Sequence, residues 1–180
     1  MTHFKEVKDS QVDISELMLP SHSNFNGKIH GGYVLSLMDR IAFACASKHS
    51  GAYCVTASVD TVDFLKPIEI GELVTMKASV NYVGNSSMVI GIRVEAENIR
   101  TGAIKHCNSS YFTMVAKDED GKSLQVPGLI LINNDDIRRF AKSIKRNEMK
   151  MNRKKEFHET DFSSEEYVHL LENYKVKIEK

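Results

Sequence analysis

The chain has 180 residues, enough for one domain with a sizeable core and an appendage. Lys plus Arg and Asp plus Glu both number 24, so a nucleic-acid binder working through a global basic field is disfavoured, while a local patch stays open. Cys45, Cys54 and Cys107 are odd in number and lack Cys-x-x-Cys spacing, the opening "MTHFKEVKDSQ" has no apolar signal core, and no run approaches membrane-spanning length. These features argue against a disulfide framework, a structural zinc site and a membrane anchor, and predict a reduced, cytoplasmic setting.

The first predicted element is an edge strand near 11–18, "QVDISELM". A helix over 30–47 follows, with Val34, Leu35, Leu37, Met38, Ile41, Ala42, Phe43, Ala44 and Cys45 wrapping most of its circumference. That pattern predicts burial on nearly every side. Four extended stretches come next: "YCVTASVDTVDFL", "ELVTMKASVNYVG", "SSMVIGIRVEAEN" and "IKHCNSSYFTMVAK". In the second, Val74, Met76, Ala78, Val80 and Tyr82 alternate with Thr75, Lys77, Ser79 and Asn81. In the third, Ile90, Ile92, Val94 and Ala96 oppose Arg93, Glu95 and Glu97. Period-2 alternation marks a sheet with one buried and one wetter face. The links "KPIEIG", "GNS" and "RTGA" are short, which predicts antiparallel pairing of successive strands. The whole predicts an α+β hot-dog arrangement, a sheet curled around a long helix; a flatter helix-on-sheet sandwich reads similarly.

After Pro127 the composition shifts. From about residue 133 two helices are expected, the first with nine basic residues between Arg138 and Lys155. The second is signalled by "DFSSEEY": Ser163 as cap, Glu166 three residues on, and Phe162 with Tyr167 as a hydrophobic staple. This appendage is either a solvated charged face or a basic surface meeting substrate phosphates or a neighbouring subunit.

Gly31-Gly32 stands where the buried helix begins. The first N–H groups of a helix lack intrahelical acceptors and carry partial positive charge, and glycine lets another group approach them. Such a start suits an oxyanion, or simply tight packing against a strand. Asp39 lies seven residues beyond Gly32 on the same helix face. A carboxylate on so apolar a helix must be paired or exposed, and partial burial would make it a better proton acceptor. Arg40 beside it fits a solvent-facing seam instead. Asn24 offers an amide ahead of the glycines, or a turn-forming residue in "NFNG". Together these describe an acyl-transfer site with water as nucleophile.

At these residues the chain resembles a known family. "NFNGKIHGGYVLSLMD" is similar to the signature of the hot-dog acyl-CoA hydrolases, in the cytosolic acyl-CoA thioesterase subgroup. The likeness continues through "VTASVDTVDFLKPIEIGE", "VGNSSM" and "YFTMVAKDEDGKSLQVP", and covers residues 8–128, leaving the tail, 133–180, outside. The resemblance implies hydrolysis of acyl-CoA to CoA and a free carboxylic acid. It implies Asn24 and Asp39 as the catalytic pair and a polarising N–H at or next to Gly32. Asp39 would act as general base on water, or attack as nucleophile. It places CoA along Val83–Met88, with Gly84, Asn85, Ser86 and Ser87 in contact, and with Phe64, Lys66 and Arg93 in the binding set. Many relatives carry a basic residue where Asn85 stands, so Lys66, Arg93, Lys105 or the tail would replace that contact. No metal or organic cofactor is implied, CoA being part of the substrate. The implied partners are the acyl-CoA and further copies of the chain: a homodimer with shared sites, assembled as a homohexamer, with no nucleic acid and no membrane. The seven histidines form no HxxxH pair. Two rival readings remain, a hot-dog hydratase or dehydratase with His30 as base, and a non-catalytic acyl-CoA sensor.

Overall fold

A computed structural model describes residues 3–163, 165–171, 173–177 and 179, the side chains of 165, 166 and 168 excepted. It divides into two compact units, residues 1–143 and 144–180. The first carries β1 (Phe4–Glu6), α1 (Val7–Ser10), β2 (Val12–Leu17), a 3-10 turn (Pro20–His22) and α2 (Gly31–Ser50). Then come β3 (Tyr53–Val59), β4 (Glu72–Val83), β5 (Ser87–Asn98), β6 (Ala103–Lys117) and β7 (Gly128–Ile130). Helix α3 (Asn134–Glu159) begins in this unit, and α4 (Glu165–Leu171) lies in the second.

Five antiparallel strands form a curled sheet in the order β2-β4-β5-β6-β3, and α2 touches all five. The alternation seen in the sequence sets the core: Val74, Met76, Ala78 and Val80 of β4 join Ile90, Ile92, Val94 and Ala96 of β5. Phe112, Met114 and Ala116 of β6 complete the inner face, packed on Val34, Leu37, Met38, Ile41, Ala42 and Cys45 of α2. Each fully buried side chain of this kind is worth roughly 1.5–3 kcal/mol, so this single cluster fixes the position of the helix. Gly51, with φ +71°, ends α2 by donating to Ser47 O at 2.8 Å. All three cysteines are free and buried, and burial pushes the Cys45 thiol up to about 12. Among the described residues no helix is long and apolar enough to cross a membrane.

Three expectations are corrected. The stretch predicted as one strand over 53–65 stops at Val59, and residues 60–65 run irregularly beside β6. "KPIEIG" is no hairpin: β3 pairs with β6 at one edge, and residues 60–71 lead to β4 near the other. Only the β4-β5-β6 meander follows the short-link rule. Nor is α2 buried all round. Leu35 and Phe43 are 37% and 39% exposed, and Asp39 and Arg40 share that open side, so the apolar pattern exceeds what one sheet covers.

The tail is two helices, as predicted. Asn133 caps α3 by accepting from Asp136 N at 2.9 Å, and Asp136 accepts in return from Ile132 N. The rings of Phe162 and Tyr167 meet at 5.1 Å, while Ser163 donates to Asp161 and α4 starts at Glu165. The predicted bond from Glu166 lies outside the described residues.

Candidate active site

The chain reaches α2 through a tight turn whose ends pair at Ser23 and Ile29. Asn24 builds that turn. Its Oδ1 accepts from Asn26 N at 2.9 Å and Lys28 N at 3.1 Å, and its backbone O accepts from Gly27 N. The turn-forming and functional readings of Asn24 therefore coexist, since only the Nδ2 amide is left to donate outward. Ile29 N donates to Ile68 O at 2.9 Å and Lys28 pairs with Glu69 at 2.6 Å, tying the turn to the segment that carries Phe64 and Lys66.

His30 is the N-cap of α2. Its Nδ1 accepts from Gly32 N at 3.0 Å. The Gly32 N–H predicted as an open oxyanion donor is thus capped within the chain, and the Gly31 N–H finds no acceptor among the described residues. Packing also favours glycine at both positions. A Cβ on Gly31 would lie 3.2 Å from the Phe64 ring, and one on Gly32 3.0 Å from His30 Nδ1. The His22 ring stacks on Tyr33 at 4.0 Å, and the Tyr33 hydroxyl donates to Glu16, whose carboxylate raises the phenol above its ordinary value.

Almost two turns along, Asp39 is exposed on the open side of α2, in keeping with the expectation that a carboxylate on so apolar a helix is paired or exposed. It is not alone. Thr56 Oγ1 donates to Asp39 Oδ1 at 2.6 Å and lies 3.4 Å from Met114 Sδ. A bulge between Thr56 and Ser58 in β3 sits beside this contact, the kind of irregularity that re-aims a side chain next to a site. No local pattern marks Thr56; only strand register brings it to the helix.

The predicted CoA contacts divide. Gly84–Ser87 form the β4–β5 turn, closed by Gly84 N donating to Ser87 O at 2.8 Å. Asn85 O accepts from Val126 N and Ser86 O from Ala116 N, each at 3.0 Å. Ser87, Val115 and Val55 are in register across three strands, so the turn lies about 10 Å from the residue preceding Thr56. Phe64 and Lys66 belong instead to the helix-start end. Arg93 joins neither group: it lies on the outer sheet face, bonded to Glu95 at 2.8 Å, roughly 20 Å along β5 from Ser87. There it lines a cleft of about 360 Å³ with Lys77, Arg138 and Arg139. Lys105 is committed to Glu72 at 2.8 Å. Of the named replacements for a basic residue at Asn85, only Lys66 is exposed with no ion pair among the described core residues. No cluster of three or more His, Cys, Asp or Glu placed to hold a metal occurs among the described residues.

Comparison with known proteins adds the following. Residues 26–103 match the family described as the Thioesterase superfamily. The uncharacterized acyl-CoA thioester hydrolase YkhA of Bacillus subtilis is 34% identical, over 82% of this chain and 86% of its own. A hexameric acyl-CoA thioesterase solved in its apo form superposes with a TM-score of 0.82 at 34% identity, covering 84% of this chain and 97% of that one. The acyl-CoA hydrolase of Staphylococcus aureus, solved with butyryl coenzyme A, coenzyme A and coenzyme A disulfide, gives 0.79 at 29% identity, over 94% and 99%.

Proposed function

Because this chain belongs to the thioesterase superfamily and is a thioester hydrolase, we propose that it cleaves acyl-CoA with a water activated by Asp39 in a site shared between two subunits. The observation that carries this reading is the separation of its parts. Seven helical residues advance about 10.5 Å, whereas a general base must sit within about 3 Å of the proton it takes, or one water away. Gly32 and Asp39 of one chain therefore serve different carbonyls. Two α2 helices antiparallel across a two-fold axis bring Asp39 of each beside Gly32 and Asn24 of the other. The exposed Leu35 and Phe43, on the same open side as Asp39, supply the apolar contact such a pair needs.

In the shared site Asp39 takes a proton from water while the oxygen attacks the thioester carbon. The carbonyl oxygen becomes an oxyanion, held by the Gly31 N–H and by the Gly32 N–H, which it takes from His30. Asn24 Nδ2 orients the water or the thioester. The C–S bond then breaks, and the CoA thiolate recovers the proton from Asp39. Thr56 holds the carboxylate in place. CoA lies along Gly84–Ser87, with Phe64 and Lys66 contributing from the helix-start end. We assign the base to Asp39 rather than to His30, whose Nδ1 caps α2 until the oxyanion forms, and this favours the hydrolase over the hydratase reading.

We take residues 8–128 as the catalytic domain and 133–180 as an extension, although the first compact unit runs on to Ser143 and takes in the first turns of α3. The hexameric relative supports a hexamer, which the shared-site reading builds as three dimers. Three free, buried cysteines support a reducing, cytoplasmic setting. Thiol release from acyl-CoA substrates tests the reading. Asp39→Asn should keep the wild-type circular dichroism and melting temperature but lose most turnover. Near-native turnover in folded Asp39→Asn would remove the general-base assignment.

A further inference from the structure

The inner face of β6 reads Asn108, Ser110, Phe112, Met114, Ala116, all buried. Two polar residues thus occupy positions where the strand's alternation calls for apolar ones. An amide taken out of water without compensation costs about 2–7 kcal/mol, and a polar residue in a core usually has a specific employment. Both serve the irregular segment 60–65. Asn108 Nδ2 donates to Asp63 O at 2.9 Å, and Ser110 Oγ lies within 3.3–3.4 Å of the carbonyls of Thr61 and Asp60. Asn108 Oδ1 is buried and meets no partner among the described residues. The side chain is therefore kept for its donor end.

A bulge in β6 makes this reach possible. Val94 pairs with Asn108 but Glu95 with His106, leaving Cys107 as the extra residue. Cys107 O accepts from Leu65 N at 2.9 Å. Phe64 is thus bracketed on both sides, by Asn108 through Asp63 and by Cys107 through Leu65. Its ring lies where a side chain on Gly31 would stand, against the first turn of α2, and is 54% exposed on its outer side.

We infer that Asn108 is a positioning residue for the acyl-CoA site, holding Phe64 as a cover over the helix-start donors. This rests on the shared-site reading above. A ring fixed over the first turn excludes water from one side of the helix start at Gly31, where an oxyanion gains most from the backbone donors. Freed from its Asp63 anchor, the ring would leave those donors solvated, lowering kcat more than it changes KM.

The test replaces Asn108 by Leu, which keeps the volume and removes the donor, alone and together with Phe64→Ala. Asn108→Leu should keep the fold and lose roughly ten-fold in kcat. In the Phe64→Ala background the same change should cost less than two-fold, because the group it acts through is gone. If Asn108→Leu does not fold, Asn108→Ser carries the same comparison. A kcat within two-fold of wild type, or losses that multiply in the double variant, would overturn the inference. Should wild type itself release no thiol from acyl-CoA, the underlying reading fails instead, so the two failures are distinguishable.

Discussion

Thr56 donates its hydroxyl to Asp39 across 2.6 Å, joining an edge strand to the middle of the central helix. The bond is to Oδ1, leaving Oδ2 of Asp39 without a partner among the described residues, and it restricts the rotation of an exposed side chain. A hydrogen bond to a charged group is worth about 1.5–3 kcal/mol, or roughly 10- to 100-fold if it is needed at the transition state. Thr56→Val, which keeps shape and loses the donor, should therefore lower kcat by about that factor with KM nearly unchanged. Steady-state kinetics on one acyl-CoA decides it; a variant within two-fold of wild type would show that Asp39 positions itself.

This pair also shows where the sequence falls silent. Asp39 stands out because a carboxylate interrupts an apolar helix. Thr56, in "YCVTASV", follows the period of any half-exposed strand. Its role depends on β3 pairing with β6 rather than β4, and the short links concealed that choice. The inner faces of β4 and β5 were readable because alternation is a local property. The open side of α2 was not, because apolar residues facing solvent in one chain look the same as residues facing a sheet. The capping of Gly32 by His30 escaped for a related reason: the residue types announce a helix start but not which ring occupies it.

His49 gives stability a pH dependence. The side chain is fully buried at the end of α2, its Nε2 donates to Pro127 O at 3.0 Å, and Nδ1 has no partner among the described residues. Burial pushes its pKa down, the Pro127 carbonyl pulls it back up, Lys5 lowers it further and Asp9 raises it. An unfolded histidine takes up its proton near pH 6.5, whereas the folded one resists. This contribution is thus complete above about pH 6.5 and is lost as pH falls from there toward the lowered native value. Melting temperature should drop between pH 7 and 5, and the drop should shrink in His49→Gln. An equal drop in both proteins would place the titration elsewhere.

The basic helix offers a test of CoA affinity. A cut after Pro127 would remove β7, which pairs with β1, so the informative truncation ends at Ser143. Arg93 and Lys105 are committed to Glu95 and Glu72, and Lys145 and Lys155 of the helix to Glu148 and Glu159, so we propose only that the basic tail adds to a phosphate contact made by Lys66. A remote phosphate contact is uniform binding, felt in KM rather than kcat. The truncated protein should show a KM raised several-fold, kcat within two-fold, and a difference that narrows in high salt. An unchanged KM would mark the helix as a solvated appendage.

The shared site itself is tested by mixing subunits. If each site draws Asn24 and the helix start from one chain and Asp39 from its partner, Asn24→Ala and Asp39→Ala homodimers are damaged at both sites. A heterodimer of the two is different. One site then receives wild-type Asn24 from the Asp39→Ala chain and wild-type Asp39 from the Asn24→Ala chain, while the other carries both lesions. Heterodimers purified through two different tags should recover about half the wild-type thiol release, provided the two sites turn over independently. A site built within one chain predicts the opposite outcome, because every site in the mixture would then keep one lesion. Heterodimers as inactive as their parents would therefore reject the two-subunit geometry and require a movement that closes the roughly 10.5 Å between Gly32 and Asp39 within a single helix, which a continuous α-helix cannot make.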